Sequence, residues 1–265
     1  MKKLRTLIEK YIHKLKKNWF LFQQLVSRDF KERYKGTVFG MGWSVLSPLL
    51  QLLVMRLVFT QFFGTNKPFY TTFLFAGVIV FSCYRECTAN GMTALRSNAD
   101  VINKINVPKF LFLLSKNVAG IINFGLTLAV FFIFAAFDGV TFSWRFLLLF
   151  YPVICLIILN IGVGFILSAM SVYFRDTTYL YSIFLVLLRY ASAIFYDLDS
   201  SSVEMQRLFL INPVYDIIKY IRLIVIDGVV PSLPFHLLVL GYPLIFLAIG
   251  LLIYKKKNND FIYYL

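Results

Sequence analysis

Apolar segments long enough to cross a lipid bilayer recur along the whole of this 265-residue chain, and no other feature constrains its fold as strongly. A helix that crosses a bilayer needs about 20 predominantly apolar residues. Hydrophobic residues make up 59% of the chain and charged residues 15%, whereas soluble domains contain about 45–50% and 25%. So little polar surface cannot cover a water-exposed globule, which argues against a soluble enzyme. The sequence predicts an all-α, membrane-embedded protein.

Six segments of the sequence qualify as membrane-spanning helices. They cover about residues 38–63, 69–95, 110–137, 146–173, 177–196 and 234–254. We therefore expect a transmembrane domain at 38–265, preceded by a cytoplasmic segment at 1–37. The connection at 197–233 stays apolar although 214–226 is too short to cross. Because unpaired backbone is costly beside lipid, we expect this connection to fold back into the protein as re-entrant external segments.

The positions of the basic residues predict the orientation of the chain. With the N-terminus inside, nineteen of the 27 Lys and Arg residues lie in cytoplasmic segments, five lie outside, and three lie within spans. Cytoplasmic loops of membrane proteins carry this excess. We therefore expect both termini in the cytoplasm and a multi-pass protein of the plasma or inner membrane. Basic residues at span edges also favour anionic lipids, rather than nucleic acid, as their partners.

The first 37 residues have the pattern of an amphipathic helix. Apolar residues recur with the helical period from Leu4 to Phe22, and Lys and Arg lie mostly on the other side. A basic amphipathic helix is typical of the membrane interface. A helix docked on a soluble partner would show the same stripe, so both interpretations stand at this stage.

Motifs for catalysis, nucleotide binding and metal binding are missing from the sequence. It contains neither the G-x-x-x-x-G-K-[ST] phosphate loop nor H-E-x-x-H, and His13 and His236 are its only histidines. Three cysteines in apolar segments do not make a zinc site with so few histidines. We therefore expect no catalytic, cofactor or metal site on this chain.

Charged residues within the predicted spans indicate a path through the membrane. A charge at membrane depth costs about 2.5–3.5 kcal/mol on insertion scales, so it faces protein or a watery cavity. Such residues fit the lining for an anionic substrate, and snorkelling to the headgroups is the alternative. Aromatic rings at similar depths are compatible with a saccharide channel. The candidate pore-lining residues are Phe59, Phe62, Arg85, Glu86, Arg189, Tyr190, Phe195 and Tyr196.

Four motifs, in order and with matching spacing, carry a family resemblance. They are SRDFKERYKGTVFG at 27–40, which continues to Pro48, NVPKF at 106–110, VYFRD at 172–176, and Asn212-Pro213 followed by Arg222. Together they resemble the ABC-2 type permeases that export lipid-linked polysaccharides, the family of O-antigen, capsule, teichoic-acid and rhamnan transport. Two features depart from its pattern: Ala193 follows Ser192 where the family often has proline, and the Arg85-Glu86 pair is unusual.

The resemblance implies a half-transporter without its own motor. Two copies would form the pore, and two separate ABC ATPase subunits would bind ATP and Mg and drive a lipid-linked polysaccharide or teichoic-acid-like polymer outward. A coupling helix would lie within 96–108. The implied ATPase-coupling residues are Asn98, Asp100, Asn103, Lys104, Arg175 and Asp176, and the implied interface-helix residues at the start of the first span are Arg28, Asp29, Arg33 and Tyr34.

Other functions remain open from the sequence. An ABC-2 exporter of a drug or small lipid would share the same motifs. A polytopic enzyme acting on lipid-linked sugars would need a cluster of acidic or histidine residues, and the sequence shows none. An ion channel would usually need a filter loop or a charged ring, which is also missing.

Overall fold

The computed structural model describes residues 13, 16–63, 69–104, 107–198, 201–257 and 260–264, apart from the side chains of 55, 56, 59–63, 262 and 263. Within this part the regular structure is helical, and no strand is present. The helices are α1 (Trp19–Tyr34), α2 (Trp43–Phe63), α3 (Tyr70–Thr93), α4 (Ala99–Lys104), α5 (Phe110–Phe137), α6 (Phe150–Tyr173), α7 (Thr177–Ala191), α8 (Val203–Phe209), α9 (Pro213–Val225), α10 (Leu233–Lys257) and α11 (Phe261–Tyr264), with short 3-10 helices at Gly40–Gly42, Arg96–Asn98 and Trp144–Leu149.

Four of the predicted spans are long and apolar enough to cross a membrane. They are α3, α5, α6 together with the 3-10 turn before it, and α10. Helix α2 has 21 residues, but the structure does not describe the side chains of all of them. Helix α7 has only 15 residues, fewer than a straight crossing needs.

Helix α7 ends earlier than the sequence predicts. The predicted span runs to residue 196, whereas the helix stops at Ala191. Ala193 adopts a φ of 47°, which is incompatible with continued right-handed helix. Phe195 and Tyr196 therefore lie in the following loop, and their placement within a span is wrong.

Helix α3 is the centre of the bundle. It packs against α5 and α6 and also contacts α2, α7 and α9. Of the residues in its most apolar stretch, 72% are buried, against 28% to 44% in the other three spans. A span enclosed by other helices can carry polar side chains, because those side chains meet protein rather than lipid.

Helices α6 and α10 make the most extensive helix pair in the fold, and glycines permit it. A Cβ added at Gly162 would lie 2.5 Å from the Leu247 backbone nitrogen. One added at Gly250 would lie 2.7 Å from the Gly162 carbonyl oxygen. Small residues let the backbones of membrane helices approach closely, so these two glycines set the α6–α10 distance.

Helix α9 folds back into the protein, as expected for the 197–233 connection. It contacts α3, α6 and α10 and is buried along most of its length. The Asn212 side chain caps it by accepting a hydrogen bond from the Val214 nitrogen at 3.0 Å, and Pro213 occupies the first turn, where no amide hydrogen is needed. The Asn-Pro motif is therefore a helix start.

Helix α1 lies against α5, with its buried Phe22 and Leu25 in an apolar cluster. The same cluster contains Ile102 of α4 and Phe261 of α11. The end of the bundle that carries α1, α4 and α11 is called the α1 end below. The predicted stripe from Leu4 to Leu15 lies outside the described residues.

Candidate functional site

An ion pair between α1 and α3 is the centre of the candidate site. Arg33 of α1 donates through Nη1 to Oε1 of Glu86, which lies on the central helix. The second carboxylate oxygen of Glu86 accepts a hydrogen bond from Asn123 Nδ2 of α5 at 3.2 Å. Both oxygens of Glu86 are thus satisfied, although this carboxylate lies within an apolar span.

Asp29 makes a second link between α1 and α5. It is only 7% exposed, and its Oδ2 accepts a hydrogen bond from Ser115 Oγ at 2.6 Å. Its Oδ1 pairs with Arg28 Nη2 at 2.8 Å and with Lys116 Nζ at 3.3 Å. A buried carboxylate is tolerated when hydrogen bonds and opposite charge surround it, and Asp29 has both.

Tyr34 extends this network to α2. Its hydroxyl donates to Asn123 Oδ1 at 2.9 Å and also contacts Ser44 Oγ. Thr127, one turn along α5, donates to the Asn123 carbonyl at 3.1 Å. The RDFKERY motif therefore connects α1 to α2, α3 and α5 through side chains. A displacement of α1 would change its contacts with all three helices.

Two large cavities border the network. One of about 820 Å³ lies between α1, the turn at 40–41 and the 3-10 helix before α4. Its basic lining residues are Arg28, Lys31, Lys35 and Lys116. The second, of about 550 Å³, lies between α1, α3 and α5 and contains Arg85 and Glu86. Of the predicted interface-helix residues, Asp29 and Arg33 therefore line the same cavity as the predicted pore residues Arg85 and Glu86.

The residues predicted to couple to an ATPase gather at the α1 end. Asp100, Asn103 and Lys104 of α4 are exposed, and so are Arg175 and Asp176 in the loop between α6 and α7. The two segments are neighbours, because Ser171 Oγ of α6 donates to the Met92 carbonyl of α3 at 2.6 Å.

Asn98 differs from the other predicted coupling residues because it is buried. Only 4% of it is exposed, and its Nδ2 donates to the Ala94 carbonyl at 2.8 Å. This bond holds the turn between α3 and α4, so the position of Asn98 fits a structural role in that turn.

The remaining predicted pore residues form a separate cluster at the opposite end of α7. The Arg189 guanidinium lies 5.3 Å from the centre of the Phe195 ring, and the Tyr196 hydroxyl donates to the Tyr190 carbonyl at 2.6 Å. Burial raises the pKa of Tyr196, so it keeps its proton. The structure therefore divides the predicted pore lining into two places, and the side chains of Phe59 and Phe62 lie outside the described residues.

Arg222 fastens α9 beside this second cluster. Its guanidinium donates to the carbonyls of Ala193 at 2.8 Å, Ile194 at 2.9 Å and Phe73 at 3.1 Å, and it stacks 3.5 Å from the centre of the Phe73 ring. The rigid fork of arginine suits several carbonyls at once. The chain after α7 is therefore held to α3 and α9.

Asp216 of α9 is a buried carboxyl that the sequence did not single out. It is 0% exposed, and neither oxygen has a hydrogen-bond partner among the described residues. Burial raises the pKa of Asp216 to about 8, while Lys219 opposes the shift. The group is therefore mostly protonated at neutral pH.

Sequence reasoning also missed the α5 half of the charged network. Ser115, Lys116 and Asn123 hold Asp29 and Glu86 in place, yet they were not proposed as site residues. The available signal was their occurrence within an otherwise apolar run, since polar groups at membrane depth need partners.

Most of this chain is similar in sequence to known proteins. A family described as "ABC-2 type transporter" matches residues 20–226. Two relatives are each named "O-antigen export system permease protein RfbA". The one from Myxococcus xanthus is 26% identical over 245 residues, covering 91% of this chain and 94% of the relative. One from Klebsiella pneumoniae is 28% identical over 250 residues, covering 91% and 95%.

Proposed function

This chain belongs to the ABC-2 type transporter family, and we propose that it is the membrane subunit of an ABC exporter that moves a lipid-linked cell-surface polysaccharide outward. The relatives named as O-antigen export permeases match over 91% of the chain. The observation that carries the proposal is the charged network that joins α1 to the central span, because a transporter must transmit motion from its surface to its path.

Energy enters, in this proposal, at the α1 end from two separate ABC ATPase subunits that bind ATP and Mg. The exposed residues Asp100, Asn103 and Lys104 on α4, with Arg175 and Asp176 beside them, provide the docking surface. Helix α4 is short and packs its buried Ile102 into the same apolar cluster as α1. A displacement of α4 is therefore transmitted to α1 and α5 through packed side chains rather than through a flexible linker.

The pore is completed by a second copy of the chain. Helix α7 buries only three of its fifteen residues and exposes a row of large apolar side chains. These include Leu180, Ile183, Phe184 and Leu187, each at least 48% exposed. Lipid or a second copy must cover this face in a membrane. With the α1 end and both termini in the cytoplasm, the cluster around Arg189 lies near the outer exit.

Deletion of the encoding gene tests the proposal directly. We expect the surface polymer to disappear and the lipid-linked polymer to accumulate inside the cell. Expression of the chain together with the ATPase encoded beside it should restore export, whereas an ATPase-inactive variant should not. Export by the chain alone, or an unchanged surface after deletion, would contradict the proposal.

A further inference from the structure

Arg85 is an exposed arginine on the mostly buried helix α3. Its neighbours Tyr84 and Cys87 are 5% and 0% exposed, and α3 continues to Thr93. At about 1.5 Å per residue, Arg85 lies roughly 12 Å from the end of the helix. A cation at such a depth must face water or a counter-charge.

Arg85 faces the cavity of about 550 Å³ between α1, α3 and α5. Its polar lining contains the basic residues Arg33, Arg85 and Lys116, the acidic residues Asp29, Glu32 and Glu86, and Asn90. A volume of this size lies in the range typical of ligand pockets, about 300–1,000 Å³.

The acidic residues of this cavity already have basic partners. Glu86 pairs with Arg33, and Asp29 pairs with Arg28 and Lys116. Glu32 lies 3.8 Å from the Lys116 ammonium. Within the described part of the chain, no carboxylate lies within ion-pair distance of Arg85.

Glu86 contacts α5 as well as pairing with Arg33 of α1. A Cβ added at Gly120 would lie 2.6 Å from Cys87 Sγ and 3.5 Å from Glu86 Oε1, so the two helices touch at this position. Asn123, one turn further along α5, holds the other oxygen of Glu86 at 3.2 Å. Glu86 is therefore engaged by Arg33 and Asn123, and among the described residues Arg85 has no acidic partner.

We propose that Arg85 is an anion-binding residue that takes a phosphate or diphosphate group in this cavity. A guanidinium fork pairs with two phosphate oxygens at once, and Arg85 is the basic residue of this lining that has no carboxylate partner among the described residues. The identity of the cargo rests on the proposed function, since the diphosphate of a lipid-linked polymer has this chemistry. Soluble phosphates share the chemistry, and the experiment separates the two sources.

The test measures binding to the full chain in phosphatidylcholine nanodiscs by microscale thermophoresis. The probes are inorganic pyrophosphate added to the solution and polyprenyl diphosphate added to the discs. We expect Arg85→Gln to weaken binding about tenfold, as for the loss of one charge-assisted contact. Arg85→Lys should recover part of the affinity. The matched control is Arg207→Gln on α8, an exposed arginine outside the cavity, and it should bind as the unaltered chain does.

The outcomes identify the source of the anion and decide whether the proposed site exists. Binding of polyprenyl diphosphate alone assigns the site to a lipid headgroup, and equal binding of pyrophosphate assigns it to the free anion. Equal affinity of Arg85→Gln and the unaltered chain, or no binding of either probe, overturns the site. Replacement of the probes by phosphatidylglycerol with the same dependence on Arg85 would show a general anionic-lipid contact and also overturn it. An intact surface polymer after gene deletion would refute the export function while leaving a positive binding result in place.

Discussion

Arg33 and Glu86 are 53 residues apart in the chain and form an ion pair that joins α1 to the central span α3. The side chain of Glu86 is 17% exposed and that of Arg33 is 38% exposed. An unpaired acidic residue is costly within a span. The ion pair with Arg33 neutralises Glu86 and attaches α1 to α3.

Removal of the Glu86 charge should loosen α1 from the bundle. We expect Glu86→Gln to lower the free energy of unfolding by about 1–2 kcal/mol, less than for a fully buried pair because Arg33 is partly solvated. Thermal unfolding in detergent measures this loss. In a double-mutant cycle of Arg33→Glu and Glu86→Arg, the double variant should lose less stability than the two single variants together, because the exchanged charges can pair again. An additive cycle would mean that the pair contributes nothing.

Substitution of Gly162 should separate α6 from α10. Its added methyl group would lie 2.5 Å from the Leu247 backbone nitrogen, and overpacking of this kind costs about 1–3 kcal/mol. We expect Gly162→Ala to lower the thermal midpoint accordingly. Gly125→Ala on α5 is the control, because nothing lies within 4 Å of an added Cβ there and alanine favours a helix. Equal midpoints for the two variants would contradict the close helix crossing.

Asp216 should make the stability of the fold depend on pH. Its pKa in the folded protein is about 8, against about 3.9 in an unfolded chain. Between these values the folded state binds more protons, so stability falls as the pH rises from about 4 and levels off above about 8. Asp216→Asn should flatten the slope of thermal midpoint against pH over that window. Glu204→Gln, at an exposed position on α8, should keep the slope of the unaltered chain.

Charge reversal on α4 should weaken the binding of the ATPase subunits. We expect the pair Asp100→Lys and Lys104→Glu to reduce ATPase affinity about tenfold, mostly through a slower association rate. Co-purification and polymer export report the effect. The charge-matched control is the pair Glu204→Lys and Arg207→Glu on α8, two exposed residues away from α4, because it too leaves the net charge of the chain unchanged. Unchanged co-purification and export of the α4 variant would contradict the placement of the docking surface.

The sequence by itself determined the helical, membrane-embedded class and four of the spans. The reason is that a bilayer imposes a length and an apolar composition on each crossing, and both are local properties of the chain. The Asn212-Pro213 motif and the motif from Arg28 to Tyr34 could also be located, since family motifs depend on adjacent residues, whereas the structure showed that Asn212 caps a helix.

Only the tertiary structure decided which charges meet. The partner of Glu86 is Arg33 rather than its neighbour Arg85, because adjacent residues on a helix point about 100° apart and the packing of α1 and α5 selects one of them. The burial of Asp216 without a hydrogen-bond partner among the described residues likewise depends on helices distant in sequence. Contacts of that kind leave no periodicity in the chain, so the partners of the predicted pore residues could be found only in three dimensions.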